Sequence, residues 1–332
     1  MYNKNKSPIV IINLKRDTER WVTCYNNITS NGVDKKYISR FNAIDGKSLE
    51  KEKNIPISVS YLSQKFATSG MIGCFLSHYI CWKNIIKDEL PWRVILEDDI
   101  SITNNFMEKV NSYIQELDNC NKTKNTWDVL ILGGFGWLTP EGPQTSFFWR
   151  NIIKFFITFY SFKRKPIQVT KNCCIPMGCG SACGYILSQR GAKKLLNKIG
   201  AVTNHIDMTA WKIRDLNIFS CNKPIVYQNC KLPSTIGGKI TKLEKFIPNM
   251  QIEKDSNLDL AFYLNSPIIY LPKINFVLSL GRILFLQLIL LIITLIFSKK
   301  YPILFMYYLV VYLGLSLFVN LLNTATPGFK YY

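Results

Sequence analysis

Arg93-Val94-Ile95-Leu96-Glu97-Asp98-Asp99 is a short apolar run that ends in three consecutive carboxylates. A run of this length without alternation reads as a strand buried on both faces. Carboxylates at its carboxyl end stand at the rim of a sheet, where their repulsion is severe unless a cation sits among them. A hard divalent ion, Mn2+ or Mg2+, is the natural occupant. Such an ion takes one or two carboxylates and fills its shell with water and phosphate oxygens, so a nucleotide diphosphate follows as its second ligand. The competing reading is a solvated acidic turn whose Asp caps the next helix.

Working outward, Ile9 to Leu14 is another continuous apolar run, closed by Lys15 and Arg16, with Asp17 placed to cap a following helix. Val129 to Leu132 and Tyr185 to Leu187 are further short runs, the last turning at Ser188 into a helix over Gln189–Ile199 that closes at Gly200. Strands alternating with helices at these spacings predict an α/β fold, a mostly parallel sheet covered on both faces, with ligands at the carboxyl ends of its strands.

Ser69 to Lys87 reads as a helix with Ile72, Phe75, Leu76, Tyr79, Ile80 and Ile86 on an apolar face and a small polar stripe through Gly70, Gly73, Ser77, Cys81 and Asn84. Its two glycines cost about 1 kcal/mol each, so a packed strand or a ligand approaches the backbone. His78, beside that stripe, is either a packing residue or part of a site. Asp207 is either a general base for an acceptor hydroxyl or a helix cap. Cys173, Cys174, Cys179 and Cys183 lack paired zinc-knuckle spacing, which makes a structural zinc site a weak reading.

The 332 residues suffice for one large domain and an appendage, and 48% apolar with 13% aromatic residues excludes a disordered chain. Lys and Arg number 41 against 22 Asp and Glu, and every acid lies between Asp17 and Asp259. That balance favours an anionic partner, be it nucleic acid, acidic lipid or a nucleotide phosphate, or else a plain solvated basic surface. No secretory signal opens the sequence, so the ten cysteines are expected as reduced, cytosol-facing thiols. From Phe276 to Phe297 the lone charge is Arg282, and Tyr301 to Leu322 carries none. Two such segments match membrane-spanning length, and the tight turn between them predicts a transmembrane helical hairpin, with Pro302 in the first turn of its second helix. Residues 146–165 interleave aromatic and basic side chains, as an interfacial helix does, or as a core helix does whose cations reach solvent.

Four ordered stretches together resemble glycosyltransferase family 25, the lipopolysaccharide and procollagen galactosyltransferase group. They are Ile11-Ile12-Asn13-Leu14-Lys15-Arg16-Asp17 with Arg20, Arg40-Phe41-Asn42-Ala43-Ile44-Asp45-Gly46, Gly73-Cys74-Phe75-Leu76-Ser77-His78, and Leu96-Glu97-Asp98-Asp99. Later echoes are Leu132-Gly133-Gly134, Gly184 to Ala192, the segment from Asp207 to Trp211, and Pro224 to Gln228. The chain departs from the family pattern at Met71, where Glu is common, and at His205, where Pro is common. The resemblance implies a GT-A-like fold and an inverting, metal-dependent transfer of a hexose, galactose or glucose. The donor would be a nucleotide diphosphate sugar and the acceptor a hydroxyl of a glycan, glycolipid or glycoprotein. It implies Glu97, Asp98 and Asp99 as metal ligands for Mn2+ or Mg2+, Asp207 as the catalytic base, and donor contacts from Asn13, Arg16, Arg20, Asp45, Ser77 and His78.

The expected organisation is a transferase domain over residues 1–262, a linker over 263–275, two transmembrane helices over 276–322 and a tail over 323–332. The partners expected are the sugar donor, a glycan, lipid-linked or protein acceptor, and a membrane, with no nucleic acid. The catalytic domain is expected in the cytosol, with a lumenal placement as the alternative. A degenerate transferase domain serving as a membrane-anchored scaffold is the alternative function, and three crowded carboxylates weigh against it.

Overall fold

The computed structural model describes residues 7–51, 55–138, 166–176, 178–203, 205–211, 213, 215–229, 267–271, 276–298 and 300–323. The strands are β1 Ile9–Asn13, β2 Ile38–Asn42, β3 Ser58–Val59, β4 Trp92–Glu97, β5 Ile100–Ile102, β6 Val129–Trp137, β7 Ile167–Gln168, β8 Cys173–Ile175, β9 Gly178–Ser188, β10 Ala201–Val202, β11 Ile218–Cys221, β12 Val226–Gln228, β13 Pro267–Leu271 and β14 Phe276–Ser279. The helices are α1 Thr18–Ser30, α2 Tyr61–Phe66, α3 Ser69–Lys87, α4 Phe106–Asn119, α5 Gln189–Lys198, α6 Ile206–Ala210, α7 Leu280–Ser298 and α8 Ile303–Asn323.

An eight-stranded sheet in the order β2-β1-β4-β9-β6-β11-β8-β7 forms the centre. Period-2 alternation divides its side chains between two cores. Ile9, Ile11, Val94 and Leu96 face α1 and α4 through Ile28, Phe106 and Val110, while Val10, Ile12, Ile95 and Tyr185 face α3 and α5 through Phe75, Trp82 and Leu195. Covering both faces is what makes the strands read as unbroken apolar runs.

The sheet is mixed, and this corrects the expectation of a mostly parallel one. β1 pairs parallel with β2 and β4, and β6 with β11, but β9 runs antiparallel to both neighbours, β4 and β6, and β8 runs antiparallel to β11. An apolar triplet such as Tyr185-Ile186-Leu187 carries no mark of its direction, which is set by the route of the chain. The consequence is positional. Leu96 of β4 pairs with Gly184, so the residues that precede Gly184 in β9 lie just beyond the carboxyl end of β4.

Two local expectations change. Asp17 occupies the N-cap position of α1, yet its side chain makes no capping bond and lies 3.8 Å from Arg16 Nε. Residues 263–275, expected as a linker, contain β13, which pairs antiparallel with β14, so the first C-terminal helix opens at Leu280. α7 and α8 follow each other through a tight turn in which Lys300 N donates to Phe297 O. Among the described residues no helix is long and apolar enough to cross a membrane, so the transmembrane hairpin expected over 276–322 is not supported. The basic-aromatic segment 146–165 lies outside the described residues.

The approach that the glycines of α3 called for is made by the loop after β2. A Cβ on Gly73 would stand 2.5 Å from Ile44 O and 2.7 Å from Gly46 N, and one on Gly46 would stand 1.6 Å from Ser69 O. Loop and helix therefore meet backbone to backbone. Gly73→Ala should force them apart at a cost of about 2 kcal/mol, lowering Tm by about 4–8 °C. Gly200→Ala, where nothing lies within 4 Å of the added carbon, should leave the melting curve unmoved.

Candidate active site

β4 ends at Glu97, and the chain turns through Asp98 and Asp99 into β5. Each carboxylate meets a different surrounding. Asp98 is buried and tied: Arg20 Nη2 lies 2.7 Å from its Oδ1, and Asn13 Nδ2 donates to its Oδ2. Asn13, at the end of β1 and 1% exposed, also donates to Asp17 O and accepts from Arg40 Nη2. Burial raises the Asp98 carboxyl above its ordinary range, and Arg20 and Asn13 hold that rise in check.

Asp99 keeps one arm engaged and one open. Its Oδ2 lies 3.1 Å from Arg20 Nη2 and accepts from Gln228 Nε2 at 3.3 Å, while Oδ1 is buried with no hydrogen-bond partner among the described residues. Desolvation, then the charge of Glu97, push this carboxyl up to about 7 against the pull of Arg20. A carboxylate oxygen out of water and without a donor is costly unless a cation supplies what is missing. Asp99 therefore fits a metal ligand better than Asp98, whose oxygens are already taken.

Glu97 turns toward α3. Its Oε1 lies 3.3 Å from His78 Nε2 and 3.8 Å from Cys74 Sγ. His78 is fully buried, and its Nδ1 is 2.9 Å from the hydroxyl of Tyr185, which also accepts from Trp82 Nε1 at 2.8 Å. Trp82 can only donate, so the Tyr185 proton is free to go to Nδ1 and leave Nε2–H to bond Glu97. Both readings of His78 meet here: it is a packed, satisfied core residue, and it touches the acidic turn.

Asp207 arrives from the other side. A chain of hydrogen bonds links it to the acidic turn: the Ser181 hydroxyl donates to Gln228 Oε1 at 3.4 Å, and Gln228 Nε2 donates to Asp99. Asp207 Oδ2 accepts the backbone N–H of Ser181 at 2.6 Å, and Trp211 Nε1 donates to Ser181 O at 3.0 Å. Ser181 is held in the left-handed region at φ +70°, a strained setting for a non-glycine residue. The antiparallel run of β9 is what delivers Ser181 to this edge.

The structure thus gathers Asn13, Arg20, His78, Glu97, Asp98, Asp99 and Asp207. Arg16 and Asp45 form an ion pair at the exposed lip. Ser77 is set apart: its hydroxyl donates to Gly73 O at 2.7 Å and accepts from Ile44 N at 2.9 Å, which clamps the loop after β2 to α3. Arg40, Ser181, Tyr185 and Gln228 join the site without having been read as site residues. Gln228 meets Asp99 across 129 positions of sequence, a pairing that no local pattern signals. The cysteines weighed for zinc are apart from one another in role. Cys174 Sγ donates to Leu138 O at 2.9 Å and Cys183 Sγ lies 3.7 Å from Gly133 O, and among the described residues they form no donor cluster.

The sequence model of glycosyltransferase family 25 (LPS biosynthesis protein) matches residues 6–210. The chain is similar to procollagen galactosyltransferase 2 of Homo sapiens, 26% identical over 195 residues that cover 57% of this chain and 27% of that protein. It is also similar to a glycosyltransferase 25 family member of Aedes aegypti, 34% identical over 134 residues, 38% of this chain and 21% of that protein. The chain spans roughly a quarter of the length of these relatives. Among solved structures, apo mouse xyloside xylosyltransferase 1 aligns with a TM-score of 0.30 at 13% identity, over 63% of this chain and 69% of that one. With more than half of its length matched from residue 6 to residue 210, the chain belongs to glycosyltransferase family 25.

Proposed function

We propose that this chain is an inverting, divalent-metal-dependent glycosyltransferase of GT-A type. It moves a hexose, galactose by the names of its relatives or else glucose, from a nucleotide diphosphate sugar to a hydroxyl of a glycan, glycolipid or glycoprotein. The observation that carries the reading is the open Oδ1 of Asp99, buried two residues from Glu97 at the sheet edge that Arg20 reaches directly and Asp207 reaches through Ser181 and Gln228. A scaffold has no use for a desolvated carboxylate oxygen without a partner.

Glu97 and Asp99 would hold a Mn2+- or Mg2+-type ion, which when bound supplies charge neutralisation to the diphosphate leaving group. Asp98 positions rather than ligates: Asn13 and Arg20 fix it, and through Arg20 it fixes Asp99. Arg16, exposed at the lip, can exchange Asp45 for a donor phosphate. Inversion needs one in-line displacement, in which the acceptor oxygen bonds to the anomeric carbon as the bond from that carbon to the diphosphate oxygen breaks. The acceptor proton goes to Asp207. The Ser181 N–H orients that carboxylate by taking Oδ2.

The same proposal seats the chain on a membrane through α7 and α8. Leu286, Leu288, Ile292, Ile296, Ile303 and Met306 are each about half or more exposed there, a concentration of bare apolar surface that water does not tolerate. The catalytic part faces the cytosol, the side on which basic segments near a membrane accumulate.

Asp99→Asn should abolish transfer even in excess Mn2+ while raising the Tm of the metal-free protein by about 2–4 °C, because the substitution removes a desolvated charge worth about 1 kcal/mol. Retained transfer, measured by release of the nucleotide diphosphate, would sink the metal reading. Asp207→Asn keeps shape and removes basicity, so kcat should fall about 10²–10⁴-fold with donor affinity unchanged; a loss confined to donor affinity would make Asp207 a binding residue. In sealed vesicles that display their cytosolic face, added protease should digest an epitope at Met1. Protection of the epitope, or glycan on Asn121 of the sequon Asn121-Lys122-Thr123, would place the domain in the lumen. Asn121 is exposed and is the better reporter, since Asn27 of the second sequon, Asn27-Ile28-Thr29, is half-buried with its amide held by the backbone N–H of Ile102.

A further inference from the structure

α3 and β4 bring a donor set of different chemistry to the inner side of the acidic edge. Cys74 and His78 stand one turn apart on one face of α3. Cys74 Sγ lies 3.8 Å and His78 Nε2 3.3 Å from the same Oε1 of Glu97, and the donor atoms all fall within 4.8 Å of one another. Among the described residues no other three thiol, imidazole or carboxylate side chains come this close. We infer that Cys74, His78 and Glu97 form a binding site for a borderline-soft divalent cation of the Zn2+ type, with a fourth position for water.

The distances suit such an ion. Bonds of about 2.0–2.2 Å to nitrogen and oxygen and about 2.3 Å to sulfur imply tetrahedral edges of about 3.4 Å for N–O and about 3.6 Å for S–O. The separations of 3.3 and 3.8 Å need shifts of a few tenths of an ångström to meet them. Thiolate and imidazole select Zn2+ over Mg2+, which prefers oxygen throughout. Binding an ion at Nε2 moves the His78 proton to Nδ1, which then donates to the Tyr185 oxygen that also accepts from Trp82 Nε1, the support that a ligating imidazole has elsewhere. Glu97 itself brings negative charge to the Cys74 thiol, and Asp99 continues the acidic turn beside it, which draws a cation to this edge. Cys74 and Glu97 are both partly exposed, so an ion has a way in.

This site shares Glu97 with the hard-ion site at Asp99, yet it stands on Cys74 and His78 and does not depend on the transferase reading. The full-length protein, freed of metal, is titrated with Co2+ as a spectroscopic probe and then with Zn2+. A thiolate-to-cobalt absorption band should appear and be displaced by one equivalent of Zn2+. X-ray absorption at the zinc edge should show one sulfur at about 2.3 Å with nitrogen and oxygen neighbours. Cys74→Ser should remove the band and weaken Zn2+ binding by at least about 100-fold. Asp99→Asn should leave the band intact while losing the response to Mn2+, which separates failure of this site from failure of the other. A zinc shell of nitrogen and oxygen alone in the unaltered chain, or a cobalt band that persists in Cys74→Ser, would overturn the assignment. The X-ray absorption measurement requires no variant to fold.

Discussion

Three adjacent carboxylates at the end of β4 repel one another, and the surrounding fold is built round the donors that hold them. Arg20 reaches Asp98 and Asp99 from α1, and Asn13 reaches Asp98 from the end of β1. Arg40 in turn braces Asn13 from β2 and stacks over Trp21 at 5.2 Å. β2, β1 and β4 are neighbours in the sheet, so the parallel register that buries Ile9 to Ile12 also lines up the groups that restrain the acids. Hydrophobic burial supplies the energy for that register, and the polar contacts at its end fix it in one position.

A single antiparallel strand then completes the site. Were β9 parallel to β4, the residues at this edge would be those that now lead into α5, and Ser188 caps that helix through the N–H of Gly191 instead. Reversal brings the start of β9 to the carboxyl end of β4, where Ser181 bends the backbone and gives its N–H to Asp207. α6, which carries Asp207, packs back on the same strand, and Trp211 presses edge-on against Tyr185 with ring centroids 5.1 Å apart. Tyr185 thereby touches both halves of the site, with Trp211 on one side and His78 on the other.

What could be read from the sequence is what local chemistry writes. The Ile9 run became β1, Ser69 to Lys87 became α3 at those same bounds, and Ser188 starts α5. The acidic turn was legible because three carboxylates in a row after an apolar strand have few innocent explanations. Direction and partnership were not legible. The strand at Tyr185 looks alike read in either sense, and the bond between Gln228 and Asp99 depends on a path through the whole fold. Gly73 signalled a close approach correctly, but a backbone loop and a ligand would leave the same mark, and here the loop is the neighbour. Ser77 carries the matching lesson: a small polar residue in a motif can serve the site by clamping the loop that carries Asp45.

Two buried aspartates show how structure separates a stabilising charge from a functional one. Asp128 is fully buried at the start of β6 and is satisfied on every side, by Arg190 Nε at 2.7 Å, Lys194 Nζ at 2.6 Å and the backbone N–H of Asn217 at 2.8 Å. Such a carboxylate is finished; it locks α5 to β6, and breaking it would leave an uncompensated buried charge. Asp99 has an arginine and a glutamine on one oxygen and nothing on the other among the described residues. Folding a chain with 41 basic residues could have supplied a second cation there at little cost, as it did for Asp128. That the fold leaves the oxygen open, beside Glu97 and within reach of Arg20, is the mark of a group kept for something that arrives after folding.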